Sequence, residues 1–140
     1  MKLLLLGFVF VASEALSTTF PGVDNPQRAR VNYILNCQGC HGPDGAGSAD
    51  GDVPRMKNFL GKFLSVEGGR EFLIRVSGVA NAPLSDASIA ELLNWTLHTQ
   101  SRDQIPTDFL PYRESDISEW RRKPLDDVAH TRQKLVARMR

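Results

Sequence analysis

The sequence predicts an all-α fold, on three observations. A capped helical start stands at Asn25-Pro26, a second at Ser85-Asp86, and a terminal run over 126–140 carries Val128, Leu135 and Met139 at helical spacing. The chain has 140 residues. Residues 1–17 read as a leader, and the remainder suffices for one small domain.

Taken in order, Lys2 gives the leader a positive start, Leu3 opens an apolar run that ends at Ala12, and Ser13-Glu14-Ala15 places small residues where cleavage occurs. Cleavage is expected after Ala15 or Ser17, and the run is too short to span a bilayer. The rival expectation is an uncleaved anchor. In the first helix Asn25 is the N-cap and Pro26 suits the first position; Ala29, Val31, Tyr33, Ile34 and Leu35 then lead to Cys37. Residues 42–52, rich in Gly, Asp and Ser, read as a loop. Segments 57–64 and 70–76 are expected as shorter helices, with Phe59, Leu60, Phe63, Leu64, Phe72, Leu73 and Ile74 as core candidates. The helix capped by Ser85 has Asp86 at its positive end and Ile89, Leu92, Leu93 and Leu97 at helical spacing, with Trp95 among them. Beyond it, 107–111 reads as extended and Ser115 as the cap of a short helix ending at Trp120. A last helix lies within 126–140.

Cys37-Gln38-Gly39-Cys40-His41 carries the chemistry. CxxCH is the attachment signature of a c-type haem: two thiols on one helical turn can each form a thioether to one porphyrin edge, and the next residue can reach the iron. Cys37 and Cys40 are therefore the expected haem anchors and His41 the proximal iron ligand, its second ring nitrogen held by a backbone carbonyl. A disulfide or a thioredoxin-like CxxC needs no histidine after the second cysteine. Zinc needs four ligands, and the remaining His98 and His130 are each alone, read as structural and solvated respectively. Export would place both cysteines where covalent attachment occurs and leave no spare thiol.

Net charge is close to neutral and points to no nucleic-acid partner; no repeat or phosphate-binding glycine loop is present. The distribution is uneven. Residues 16–120 carry nine Lys or Arg against thirteen Asp or Glu, whereas 121–140 carry seven against two. Two readings of this basic tail stand. In one, Phe109, Tyr112, Trp120 and Leu125 clamp it over the domain while its charges stay solvated. In the other, Arg132, Lys134, Arg138 and Arg140 steer an acidic redox partner.

Ala29 and Tyr33 before Cys37-Gln38-Gly39-Cys40-His41-Gly42, then Val53-Pro54-Arg55-Met56, then Ala82-Pro83-Leu84-Ser85-Asp86 opening a helix with Leu92 and Trp95, form a set. Through that set residues 25–100 resemble a class I c-type cytochrome. The resemblance implies a cytochrome c-like helical domain over 18–100 around one covalent haem c, with 101–140 as a partly helical, basic C-terminal extension. It implies a first and last helix crossing at Ala29 and Tyr33 against Leu92 and Trp95. In the family the sixth iron position is filled by a methionine before the last helix, often next to a proline; here Ala82 precedes Pro83, and alanine cannot ligate iron. Met56 and Met139 are the remaining thioethers of the mature chain, and Met56 is the better distal candidate. By the family's Pro-x-Leu motif, Pro54-Arg55-Met56 places Met56 in a packing role instead, with the Pro54 carbonyl on the proximal histidine. Packing and ligation both stand.

Three functions follow from the resemblance. The first is a periplasmic monohaem carrier of single electrons, not an enzyme, taking them from a periplasmic dehydrogenase or membrane complex to a later acceptor. If Ala82 leaves the sixth position open, the second is a five-coordinate site for a small gas or peroxide, with Arg55, Asn81 and Ser77 as distal groups. The third is a haem subunit held within a dehydrogenase complex, whose sign would be a large exposed apolar patch.

Overall fold

The computed structural model describes residues 19–139; the leader assigned to 1–17 and Arg140 lie outside the described residues. Described residues are all helical or irregular, without strands. Helix α1, Pro26–Asn36, starts where Asn25 accepts the Arg28 N–H at 2.9 Å. A single turn, α2 (Gln38–His41), follows it. After the glycine-rich loop come a 3₁₀ turn at Leu60–Ser65, α3 (Gly69–Arg75), α4 (Ser77–Ala80) and the longest helix, α5 (Asp86–Gln100), whose Ser85 cap accepts the Ser88 N–H. A second 3₁₀ turn, Arg102–Gln104, leads to α6 (Glu114–Trp120) and α7 (Val128–Ala137).

Helix α5 is the axis of the molecule. Its Ile89, Ala90, Leu92, Leu93 and Leu97 are all buried, and so are Asn94 and Thr96. The buried face of α1 is narrow: Ala29 and Tyr33 turn inward, and the small Ala29 side chain leaves room for close approach of α5. Tyr33 meets Trp95 at 5.5 Å between ring centroids. The other apolar residues of α1 face outward, Val31 at 50%, Ile34 at 42% and Leu35 at 74% exposure. Asn94 ties three segments together, donating to the Gly22 and Tyr112 carbonyls and accepting the Tyr112 N–H.

Segment 57–64 departs from the expected helix. Asn58 takes a left-handed conformation (φ 53°) and donates its N–H to the Gln100 carbonyl at 2.7 Å, so helical geometry starts only at Leu60 and is 3₁₀. Helix α6 starts one residue before Ser115, because the Asp116 carboxylate accepts the Arg113 N–H and caps the turn from within.

Residues 101–139 share the core of the preceding domain: Tyr112, Ile117 and Leu135 are buried in the same cluster as Phe63, Phe72 and Leu97. Phe109, Trp120, Leu125, Val128 and Met139 pack against its edge. Arginines fix the extension through backbone carbonyls. Arg70 donates to Leu110 and Pro111, Arg75 to Lys123 and Pro124, and Arg138 to Glu67. Among the described residues no helix is long and apolar enough to cross a membrane.

Candidate cofactor site

The site begins at the end of α1. Cys37 donates its N–H to the Tyr33 carbonyl, and the chain immediately winds into α2, where the His41 N–H returns to the Cys37 carbonyl at 2.9 Å. Both cysteines therefore sit on one turn as free thiols, Cys37 half-buried and Cys40 exposed. Gly42 ends the turn, and its carbonyl accepts the Tyr33 hydroxyl at 2.6 Å.

The following loop brings a distant proline back to His41. Gly47 donates to the His41 carbonyl, and the Gly45 carbonyl accepts from both Met56 (2.8 Å) and Lys57 (2.9 Å). Gly47 has φ +77°, and a Cβ there would collide with the Val53 carbonyl, so glycine is required where the two strands of the loop touch. Closed in this way, the loop sets the Pro54 carbonyl 3.1 Å from His41 Nδ1. A carbonyl only accepts, so Nδ1 is the donor in this bond and Nε2 is the nitrogen left to ligate a metal.

Cys37, His41, Pro54 and Met56 line a cavity of about 290 Å³ whose walls are mostly apolar. Leu60, Phe63, Phe72, Leu73, Leu92 and Leu93 supply much of that wall. Of the residues singled out as distal groups, Arg55 and Ser77 line the cavity and Asn81 is not in the lining; Ala82 is. Ala82 and its neighbours are held by Arg121, which donates to the Ala80, Ala82 and Leu84 carbonyls and pairs with Asp86 at 2.6 Å. Met56 is anchored through its backbone to the Gly45 loop, on the segment that presents Pro54 to His41.

Burial, reinforced by Cys40, pushes the Cys37 thiol up to about 11. A dithiol redox motif needs the opposite shift, toward thiolate. The remaining histidines lie elsewhere. His98 stacks on Phe20 at 5.4 Å with its Nε2 buried and unpartnered, and His130 is exposed on α7. No group of three or more His, Cys, Asp or Glu among the described residues could hold a metal ion by itself. Cys40 is exposed and outside the cavity lining. The residues present fit a haem through one imidazole with a nitrogen left for the iron, Cys37 at the wall of an apolar cavity, and Cys40 on the same turn at its rim side.

Sequence reasoning missed that the extension enters the site. Val128 and Arg132 of α7, one turn apart, line the cavity, as do Asn36 and Thr96. Nothing local marks them, because the contact joins α7 to a cavity lined by residues between Asn36 and Thr96. No protein-family model matches the chain, and no curated protein matches it.

Proposed function

We propose that the chain is an exported monohaem c-type cytochrome, periplasmic after loss of residues 1–17, that carries single electrons from a dehydrogenase to a later acceptor. The observation that carries the reading is the convergence of Cys37, His41 and the Pro54 carbonyl on one apolar cavity. Haem bound there supplies one-electron exchange at its iron. Cys37 and Cys40 would hold it through thioethers, and His41 Nε2 would ligate the iron. Pro54 keeps the His41 proton on Nδ1, and the bond makes the imidazole a stronger donor. The apolar walls suit the porphyrin body. Tyr33 and the Gly45–Met56 bond hold the loop that presents Pro54, which fixes the ligand's orientation.

A specific observation favours a second reading, a five-coordinate site for a small gas or peroxide. Ala82, Ser77, Gly78 and Val79 line the cavity without an imidazole or thioether, which leaves Met56 as the one thioether in the lining. The ferrous spectrum before and after carbon monoxide separates the readings. An unchanged spectrum in the parent, with a carbon monoxide shift gained in Met56→Ala, supports the carrier with Met56 on the iron. A shift in the parent supports the open site and makes Met56 a packing residue.

A further inference from the structure

Phe59 is surrounded by cations. The guanidinium carbons of Arg55 and Arg132 lie 6.0 and 5.5 Å from its ring centroid, and Lys62 Nζ lies at 5.6 Å. Attraction to the ring face stabilises each modestly. Among the described residues none of the three has a carboxylate within salt-bridge distance or a side-chain hydrogen bond to a protein acceptor, whereas Arg28, Arg70 and Arg121 each hold a carboxylate. Two of the three, Arg55 and Arg132, also line the apolar cavity that holds Cys37 and His41. They reach it from segments distant in sequence, Arg55 from the loop that carries Pro54 and Arg132 from α7. Unpaired guanidiniums at an apolar cavity suit an apolar body that bears anionic groups, carboxylates among them.

We propose that Arg55 and Arg132, with Lys62 beside them, form a carboxylate-binding site that completes the cavity, so that the C-terminal extension is part of the cofactor site. The proposal rests on the haem reading, under which those carboxylates are the two propionates. An acidic protein surface is the less favoured occupant, because Arg55 and Arg132 line the cavity. The pair holds the carboxylates ionised, and its charge disfavours the more positive, oxidised state of the site.

The test is potentiometry of the haem-loaded full chain from pH 5 to 8, for the parent, Arg132→Gln, Arg55→Gln, the double variant and Arg132→Lys, with the mass of each denatured chain. The expected result is a pH-independent potential in the parent. Arg132→Gln should have a lower potential that falls further as pH rises, because loss of the cation raises a carboxylate pKa by about one pH unit or more. Arg132→Lys should restore most of the parent value. Arg55 is exposed, so Arg55→Gln keeps the test available if the double variant does not fold. Haem-loaded variants whose potential and pH slope match the parent would overturn the proposal. So would a change confined to the salt dependence of electron exchange with an acidic protein. A parent chain without covalent haem would overturn the haem reading itself, a different failure.

Discussion

Glu91 is buried on α5 at 5% exposure, and it accepts the Asn25 N–H and two bonds from Arg28, each at 2.8 Å. Burial pushes its carboxyl up, but the Arg28 and Asn25 bonds and the Arg28 charge outweigh it, and the group ends below the usual range. A carboxylate depressed in the folded state stabilises above its unfolded pKa of about 4.3, and that stability is lost as pH falls toward the folded value. Glu91→Gln is therefore expected to cost about 1–3 kcal/mol at pH 7, with the gap to the parent narrowing below pH 4 in urea melts. His98 has the matching dependence near neutrality. Burial foremost, then Arg102, holds its imidazole below the usual value. The neutral ring stacked on Phe20 thus stabilises above about pH 6.5, and that contribution fades as pH falls. His98→Phe, which keeps a flat ring without titration, should flatten the melting temperature between pH 5 and 7. At this scale the caps were legible: Asn25 and Ser85 act on amides three residues away. Glu91 was not, because Arg28 lies 63 residues before it.

At the scale of elements, α1 and α5 could be read because each carries its start signal and its buried residues within one segment. The 57–64 segment could not. A left-handed Asn58 bound to the far end of α5 decides its geometry, and composition holds no sign of that bond. The 80–84 loop is fixed from still further away. Its carbonyls are satisfied by Arg121, whose side chain is 16% exposed. Arg121→Ala should therefore destabilise by about 2–3 kcal/mol, since the carbonyls and Asp86 lose a charged donor. Amide exchange at Ala82 and Leu84 should quicken more than in α1. Equal acceleration in both would mean that Arg121 supports the fold generally and not this loop.

Across the whole molecule, the extension behaves as core. Ile117 is 0% and Leu135 3% exposed, in one cluster with residues of α3 and α5. Leu135→Ala is expected to cost about 2–5 kcal/mol and to leave one cooperative unfolding transition; a second transition would show that the extension folds apart. Its basic charge was legible in composition, but its use was not. Of the cations read as steering, Arg138 donates to the Glu67 carbonyl and Arg132 lines the cavity, while Lys134 is exposed. The central claim is the covalent attachment at Cys37 and Cys40, and it is tested most directly by the mass of the denatured chain after export in cells that mature c-type cytochromes. The account predicts one haem retained per chain, lost when both cysteines are changed to alanine. A denatured chain at its bare polypeptide mass, from cells that load other c-type cytochromes, would contradict it.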